Sequence, residues 1–482
     1  MVNYIQKLNS VKKSDLLKSR NSLSSYSYRQ ILCPNENVQK LEKFIVANKK
    51  GFEPGSKSYI KFTKNYFIRI SELSDFDYTF DITSSTLKII PPEQEKELIQ
   101  SGDICYQTAS NVGNVCVYNG PQAYFNSHIR KLNFNEKEYY IFSFLKSKFG
   151  KNQVEVSGSI KGVDNFSNDL LENTIIPFPT KKNHKVPSLI EKYLSILTQN
   201  ILDKEFQLSR KSKLIDKLFF DELQVSDISK KKKYKLPTIS KLKFGNRLDT
   251  IIYSERYFNY DSLIKSYESG FYFLNDSEIA PGRTPKDYYY SSTKKSDKFY
   301  EWVTPKNVNG RRLDFKTYIH TKSETKIKKN CIVLNGIRYV GNGIYVDSDT
   351  KIYSNQNTLI INKFEDKSEQ IFLYTFLTSE IGKYMQMAQR NFGIVPILYT
   401  ENLCKIPIPK LEENIKRKIV KEYYNEISKS TDSNLENYLE LEKIRNKSLG
   451  IHQLNDEIFN LRSKIELIID SIIKEKSIEV EL

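Results

Sequence analysis

The sequence predicts an α+β fold: two tandem globular domains of mixed α and β structure, separated and followed by long helices that form an antiparallel coiled-coil spacer. Three observations predict this architecture. The 482 residues exceed what one hydrophobic core accommodates. Short motifs recur in the same order in the two halves of the chain. Each half is followed by a stretch whose apolar residues alternate in steps of four and three, as in a coiled coil.

The internal repeat has a period of about 230 residues, and an ordered series of matches at one spacing indicates a duplication. Gly55 and Gly282 each open a short polar turn and are predicted to be equivalent. Other matches are Val112-Gly113-Asn114 with Val340-Gly341-Asn342, Tyr124 and Asn126 with Tyr353 and Asn355, Phe144-Leu145 with Phe376-Leu377, and residues 175–179 with 405–409. A duplicated protein usually engages something that itself has two parts.

The repeat and the helical stretches divide the chain into four predicted blocks. The first globular domain covers residues 1–185, and a spacer helix with its linker covers 186–233. The second globular domain covers 234–410, and a second helical region covers 411–482. The lysine run at 230–233 is predicted to be a solvated tether, with phosphate contact as the alternative.

Two apolar seams are predicted to pack against each other, because a helix with such a seam is not stable alone in water. The helix over 187–220 would rise about 50 Å at 1.5 Å per residue. That length exceeds one turn of B-DNA, which is about 34–36 Å. The first seam comprises Ile190, Leu194, Leu197, Ile201, Leu208, Ile215 and Leu218, with Lys204 and Lys211 in its gaps. The second comprises Ile444, Ile451, Leu454, Ile458, Leu461, Ile465, Ile468 and Ile472.

The charge balance indicates a polyanionic partner. The net charge is +17 and the pI is about 9.2, which favours nucleic acid first and an anionic membrane second. A biased composition rich in Lys, Asn, Ile and Tyr is the third explanation.

Several classes of protein are not expected. No apolar run is long enough to span a membrane, and the first residues lack the pattern of a signal peptide. The five cysteines have no metal-ligand spacing, which favours reduced thiols in a cytoplasmic protein, with Cys105 and Cys331 packed in the core. The four histidines are scattered, so we expect no metal site.

The sequence shows no motif of a familiar active site. It lacks GxGxxG after a strand, GxxxxGK[ST], HExxH and GxSxG. The single Pro-Pro pair, Pro91-Pro92, has the wrong flanks for an amino-methyltransferase, and no Asp/Glu-x-Lys nuclease core is visible. We therefore expect a binding protein without catalysis.

The order of blocks and several motifs resemble the specificity (S) subunit of type I restriction–modification systems over essentially the whole chain. Gly282-Arg283-Thr284-Pro285, followed by Tyr300-Glu301-Trp302-Val303-Thr304 and Asn307, is similar to that family's G-x-TP and tryptophan segment. Leu411-Glu412-Glu413-Asn414 resembles its Leu-x-Glu-Gln helix start. In the first half, Gly55-Ser56 and the segment from Phe67 to Ser71 stand in the corresponding places, without Thr-Pro or tryptophan.

The resemblance implies two target recognition domains, and side chains near these motifs are the candidates for DNA contact. Arg and Lys pair with guanine, and Asn pairs with adenine, in the major groove. Trp302 is either a DNA contact or core packing, and the basic cluster beside it is either a DNA contact or solvated. The candidates are Ser56, Lys57, Tyr59, Lys61, Arg69, Ser71, Arg283, Thr284, Trp302, Thr304, Lys306, Asn307, Arg311 and Arg312.

The resemblance also implies partners and cofactors. The partners would be double-stranded DNA, two methyltransferase (modification) subunits and restriction/translocase subunits, with no membrane. S-adenosylmethionine, ATP and Mg²⁺ would belong to those subunits, and this chain would hold no cofactor. The alternatives are a specificity partner for a stand-alone methyltransferase or another defence complex, a DNA-cutting enzyme with an unrecognised site, and a coiled-coil scaffold.

Deleting one heptad from the 187–220 seam should change the number of base pairs between two half-sites and leave both half-site sequences unchanged, because helix length would set the spacing. Sequencing of methylated bases in a host expressing the deleted chain measures both quantities. An altered half-site with an unchanged spacer would contradict the geometric argument.

Overall fold

A computed structural model describes residues 4–7, 10, 29–60, 63–83, 85–158, 171–225, 251–286, 288–291, 296, 298–308, 317–322, 327–348, 352–391, 395–430 and 432–480. The lysine run at 230–233 lies outside them. In the part of the chain so described, no helix is long and apolar enough to cross a membrane. The division into four blocks stays a prediction.

The chain forms two compact units, each assembled from separate stretches of sequence. Unit 1 consists of Met1–Gln207, Ser428–Lys447 and Glu457–Leu482. Unit 2 consists of Leu208–Ile427 and Ser448–Asp456. The long helices Pro187–Glu222 and Ile451–Ile473 therefore contribute residues to both units.

Unit 1 contains a five-stranded sheet in the order β4-β11-β8-β9-β6 and a three-stranded sheet in the order β10-β5-β7. The pairs β1–β2 and β12–β3 complete its strands. The strands are β1 (Ile5–Lys7), β2 (Arg29–Ile31), β3 (Val38–Lys40), β4 (Ile45–Lys50), β5 (Tyr66–Ile68), β6 (Thr79–Phe80), β7 (Leu87–Lys88), β8 (Ile104–Gln107), β9 (Val115–Tyr118), β10 (Ala123–Phe125), β11 (Ile129–Phe134) and β12 (Ile175–Pro177). Two helices follow β11, α1 (Glu138–Lys146) and α2 (Lys148–Gly158).

Unit 2 contains two four-stranded sheets, in the orders β14-β21-β18-β19 and β15-β17-β16-β20, and the pair β13–β22. Its strands are β13 (Phe271–Tyr272), β14 (Ile279–Pro281), β15 (Tyr289–Ser291), β16 (Phe299–Val303), β17 (Tyr318–His320), β18 (Cys331–Asn335), β19 (Gly343–Val346), β20 (Ile352–Ser354), β21 (Thr358–Ile361) and β22 (Ile408–Pro409).

The remaining helices are α3 (Pro187–Glu222), α4 (Glu255–Lys265), α5 (Lys367–Thr378), α6 (Glu380–Gln389), α7 (Thr400–Leu403), α8 (Glu413–Tyr423), α9 (Tyr438–Ser448) and α10 (Ile451–Ile473). Short 3₁₀ turns occur at Leu41–Lys43, Ser56–Ser58, Ile70–Glu72 and Asp276–Glu278. The mixed α and β composition and the long helix α3 confirm the predicted fold class.

The motifs that recur in the sequence have the same local structure in the two units. Gly113 and Gly341 adopt left-handed backbone with φ of 90° and 94°, a conformation that favours glycine. Ser147 and Ser379 accept hydrogen bonds from the backbone N–H groups of Gly150 and Gly382, at 3.3 and 3.1 Å. Cys105 and Cys331 are fully buried, so their predicted packing in the core is confirmed.

The predicted equivalence of Gly55 and Gly282 is wrong, because Gly51 occupies the position of Gly282. A Cβ atom on Gly282 would lie 2.0 Å from the carbonyl oxygen of Asn355, and one on Gly51 would lie 2.4 Å from that of Asn126. Gly55 has no atom closer than 4.0 Å to such a Cβ. The first-half counterpart of the turn 282–285 is therefore Gly51-Phe52-Glu53-Pro54.

The central strands also correspond. Parallel pairing joins Phe67 to Tyr124 in unit 1 and Trp302 to Tyr353 in unit 2. Phe67 is thus the counterpart of Trp302, and both side chains are buried.

The apolar seams are buried with two exceptions. Leu218 is half-buried, and Phe219 takes its place with no exposed surface. Ile444 is 61% exposed, because α9 ends at Ser448 and the strict alternation is interrupted before α10. The backbone N–H of Gly450 donates to the carbonyl of Asn425 at 2.9 Å in this interruption.

Within unit 1, α3 and α10 run in opposite directions, as predicted for the spacer helices. The Lys464 ammonium lies 5.6 Å above the ring of Tyr193, and the Lys204 ammonium contacts Glu457 at 2.6 Å. Residue numbers thus rise along one helix as they fall along the other.

Lys204 is the most buried charge in this helical layer. It has no exposed surface, and its ammonium donates to Glu442 at 2.9 Å, Asn446 at 2.5 Å and Glu457 at 2.6 Å. Arg445 also pairs with both carboxylates. A buried ammonium with three acceptors has its hydrogen-bonding capacity satisfied, which offsets the cost of removing it from water.

These two cations lower the pKa of both carboxylates. Burial by itself raises the pKa of Glu442, but Lys204 and Arg445 outweigh it and hold the pKa below its ordinary value. Burial likewise raises the pKa of Glu457, and Arg445 and Lys204 outweigh it in the same way. Both groups therefore stabilise the fold in their ionised form.

Lys204→Met should destabilise unit 1 by about 3–5 kcal/mol at neutral pH, because it leaves two partly buried carboxylates short of a cation. Urea unfolding followed by circular dichroism measures the loss. Lys217→Met, at an exposed lysine of the same helix, is the control and should have little effect. Equal stability of the two variants would contradict the assigned role of Lys204.

The difference in the free energy of unfolding between wild type and Lys204→Met should become smaller as the pH falls. A carboxylate whose pKa is lowered in the folded state contributes stability above its ordinary pKa and loses it as the pH falls through the lowered value. The window therefore lies below about pH 4.3, the ordinary pKa of glutamate. A difference that stays constant down to pH 3 would show that ionised Glu442 and Glu457 are not involved.

Gly51→Ala should destabilise the protein by about 1–3 kcal/mol, because the new methyl group meets backbone carbonyls that cannot move aside. Gly55→Ala is the matched control and should be neutral. Thermal unfolding of both variants tests the revised correspondence, and a greater loss at Gly55 would restore the original one.

Candidate nucleic-acid interface

Three turns meet in unit 2 at the ends of its strands. We call residues 282–285, 304–307 and 354–357 turn cluster 2. The backbone N–H of Arg283 donates to the carbonyl of Ser354 at 2.8 Å, and that of Asn355 donates to Val303 at 2.9 Å. These bonds fix the backbone of the cluster and leave its side chains to vary.

Unit 1 repeats this arrangement of backbone hydrogen bonds between turns, which we call the frame. We call residues 51–54, 69–72 and 125–127 turn cluster 1. The backbone N–H of Phe52 donates to Phe125 at 3.0 Å, and that of Asn126 donates to Ile68 at 3.0 Å. The equivalent strands place Arg69 and Ser71 in the positions of Thr304 and Lys306. Ser56 and Lys57, in contrast, follow the turn 51–54 that matches Arg283 and Thr284, so they are not the counterparts of those two residues.

Turn cluster 2 presents cations and amides. Arg283 and Lys306 are exposed. The Thr284 hydroxyl bonds to the side-chain oxygen of Gln356. The side-chain oxygen of Asn307 accepts from the backbone N–H and the hydroxyl of Thr304, at 2.8 and 2.6 Å. Arginine and lysine at such a site can donate to guanine or to phosphate.

Turn cluster 1 has carboxylates at the corresponding places, of which Glu53 is exposed and Glu72 is largely buried. Glu53, the counterpart of Thr284, accepts from the amide of Asn126 and the hydroxyl of Ser127, both at 2.7 Å. Glu72, the counterpart of Asn307, lies 3.5 Å from the Arg69 guanidinium. Burial raises the pKa of Glu72, and this effect exceeds the lowering by Arg69. Carboxylates accept from cytosine N4 in the major groove.

The other predicted residues of unit 1 lie on or near this cluster. Ser56, Lys57 and Ser71 are exposed, and Tyr59 is 37% exposed. Ser56 and Lys57 lie on the 3₁₀ turn that follows 51–54. Lys61, Arg311 and Arg312 lie outside the described residues.

Trp302 lies inside the protein. It is 5% exposed, and its ring packs 6.2 Å from that of Tyr353 and 6.0 Å from that of Tyr290. Ile319 and Tyr300 complete this apolar cluster. The burial favours core packing, the second of the two roles considered for Trp302.

Sequence reasoning missed Glu53 because it paired Gly282 with Gly55, and it also missed Gln356. The signal that finds Glu53 is the pattern Gly-x-x-Pro at 51–54, which matches 282–285 in spacing although it lacks threonine. Gln356 follows from Asn355, one of the recurring residues.

A metal centre is not indicated among the residues that the structure describes, where no group of three or more His, Cys, Asp and Glu side chains is arranged to hold an ion. The five cysteines form no disulfide there.

Comparison with known proteins gives one family match. Residues 35–205 match the model of the type I restriction modification DNA specificity domain. This range contains the frame of turn cluster 1 and the first part of α3. A search of curated proteins found no match.

Solved structures of similar length align with the chain at low similarity. A type I restriction–modification S subunit from M. genitalium is 13% identical, with 93% of this chain and 98% of that chain covered and a TM-score of 0.37. The HsdS subunit from Thermoanaerobacter tengcongensis is 12% identical, with coverage of 92% and 98% and a TM-score of 0.27.

TM-scores this low carry no argument about fold, so the likeness rests on the family model. The part of the chain that contains turn cluster 1, residues 35–205, is similar to the type I restriction modification DNA specificity domain.

Proposed function

We propose that each compact unit recognises one half of a bipartite, asymmetric DNA target, and that the chain directs partner subunits to that target. In this proposal the chain is a DNA-recognition protein of the type I specificity kind and not a catalyst, which the match of residues 35–205 to the DNA specificity domain supports.

The observation that supports two half-sites is the repeated frame of the turn clusters. The hydrogen bonds Asn126 to Ile68 and Asn355 to Val303 have the same places in the two units. The side chains that the frame presents differ, with Glu53 in one cluster and Arg283 and Lys306 in the other. A shared frame with different side chains suits two recognition elements of different base preference.

The difference in charge supports asymmetry. Carboxylates accept hydrogen bonds from exocyclic amino groups, whereas Arg and Lys donate to the O6 and N7 atoms of guanine. A target read by the two clusters should therefore not be palindromic. The net charge of +17 adds sequence-independent attraction to phosphates.

The partners that we propose are two methyltransferase subunits and, in a complete system, restriction/translocase subunits. S-adenosylmethionine, ATP and Mg²⁺ would be bound by those subunits, and the chemistry would occur there. The chain would act in the cytoplasm, where double-stranded DNA is accessible.

Co-expression of the chain with its neighbouring methyltransferase subunit in a methylation-free host should produce a split methylated motif. Methylome sequencing measures it, and the motif should disappear when the chain is omitted. No methylation, or a motif that does not depend on the chain, would favour a scaffold or a hidden enzyme. Cleavage of DNA by the chain alone with a metal ion would favour the enzyme.

The two units can be tested separately in the same host. Arg283→Ala with Lys306→Ala should weaken discrimination at one half-site by about 1–3 kcal/mol for each base that the removed side chains recognise. Glu53→Gln should affect the other half-site only, so each variant is the control for the other. Loss of both half-sites in either variant would contradict independent recognition.

A further inference from the structure

Unit 2 has an exposed aromatic strand at the edge of one sheet. Among the strands of unit 2 that the structure describes, β15 is the outermost one of the sheet β15-β17-β16-β20. Tyr289 and Tyr290 on it are 52% and 50% exposed, and Tyr288 just before it is 41% exposed. We call residues 288–291 edge 2.

Unit 1 has a counterpart to this edge. Tyr59 forms an antiparallel bridge with Ile89, just as Tyr290 pairs with Ile319. Backbone bonds from Ile60 to Lys88 at 3.0 Å and from Ile90 to Ser58 at 2.8 Å extend the pairing. We call residues 57–60 edge 1.

Each edge is anchored by the same contact. The ring of Tyr59 lies 6.0 Å from that of Phe67, and the ring of Tyr290 lies 6.0 Å from that of Trp302. Since Phe67 and Trp302 are equivalent residues of the central strands, Tyr59 and Tyr290 are equivalent too. The recurring tyrosine is therefore the positioning residue of each edge.

The residues before the anchor differ between the edges. Edge 1 has Lys57 and Ser58 where edge 2 has Tyr288 and Tyr289. The ring of Tyr289 stacks on His320, with centroids 4.8 Å apart and planes at 24°. This contact fixes one face of Tyr289 while half of the side chain stays exposed. Variation beside a constant anchor is the arrangement expected of a specificity element.

The surroundings of both edges are basic. Lys286, Lys298 and Lys322 are exposed on segments adjacent to edge 2. Lys57 and Lys64 are exposed near edge 1, and the Lys88 ammonium lies 5.2 Å above the ring of Tyr66. Lysines bind phosphates, whereas tyrosine combines a rigid apolar ring with a hydroxyl that donates and accepts.

Exposed edge strands are usually protected by charged residues or proline, because their unpaired backbone favours association. The consecutive exposed tyrosines of edge 2 are neither charged nor proline, so they do not protect the edge in this way. Their exposure indicates that a partner covers them. An antiparallel two-stranded ribbon fits the major groove of B-DNA. β15 and β17 form such a ribbon with its tyrosines at the edge and lysines at its flanks.

We propose that edges 1 and 2, which follow the turns 51–54 and 282–285 in the sequence, enter the major groove of duplex DNA together with the turn clusters, an inference that rests on the proposed bipartite recognition. Tyr288 and Tyr289 contact base edges and thymine methyl groups in one half-site, and Lys57 and Ser58 contact bases in the other. Tyr59 and Tyr290 hold the edges in place, and the adjacent lysines bind phosphates.

The test replaces two residues of edge 2 by their counterparts from edge 1, in the chain of 482 residues. The double variant Tyr288→Lys, Tyr289→Ser carries the edge-1 residues at the equivalent positions. It is co-expressed with the neighbouring methyltransferase subunit in a methylation-free host, and the methylome is sequenced. Tyr399→Ser is the matched control, since Tyr399 is 45% exposed elsewhere in unit 2.

The proposal predicts that the double variant loses at least tenfold of its methylation at the original motif and alters or relaxes one half-site. The other half-site and the spacer should stay unchanged, and Tyr399→Ser should behave as wild type. Tyr289→Phe, which keeps the ring on His320, should relax one base pair of the same half-site with an unchanged melting temperature. This second variant keeps the test decisive if the double variant folds poorly.

Wild-type methylation of the original motif by both edge-2 variants would overturn the proposal and leave bipartite recognition intact. A wild-type chain that directs no split motif would overturn bipartite recognition, and the role of the edges with it. The two failures are therefore distinguishable in one experiment.

Discussion

The ion-pair network around Lys204 is the constraint on which unit 1 depends. It joins the first long helix to α9 and α10 through Glu442, Asn446 and Glu457, which come from much later in the sequence. An ammonium without exposed surface is tolerated only when each of its protons has an acceptor. A shift of either partner helix by one turn would remove these acceptors, so the network fixes the alignment of the helices more strictly than apolar contacts do.

The turn clusters follow a different physical rule. Gly51 and Gly282 lie against backbone carbonyls at distances that no Cβ atom tolerates, and the strands beside them pair in equivalent registers. Backbone contacts of this kind do not depend on side-chain identity. The frame can therefore stay constant while its outward residues diverge, which is how Glu53 and Thr284 come to occupy one position.

Much of the fold was predictable from patterns that report on burial, whereas the candidate site was predictable only in part. The seams follow apolar periodicity, so the helices α3 and α10 and the burial of Cys105 and Cys331 were predicted correctly. Ile444 was placed wrongly because it keeps the heptad spacing although the chain turns at Gly450. Gly55 follows Gly51 so closely that sequence alone does not tell which of the two approaches a backbone carbonyl. Tyr59 was among the predicted site residues, whereas the three tyrosines of edge 2 were overlooked because exposure depends on strand order, which composition does not encode.

Unit 1 is assembled from distant stretches of the sequence, which affects how the chain folds during synthesis. Asn35 donates to the carbonyls of Phe178 and Ile472, and Tyr4 donates to Asp470, so the earliest and latest described segments lie in one unit. During synthesis on the ribosome, the apolar face of the helix in residues 4–207 stays uncovered until residues 457–473 have been made. Unit 2 needs no residue after 456, so all of its residues are available earlier and it can fold first. A message truncated before α10 would thus yield a chain with an uncovered apolar seam, which proteases would degrade.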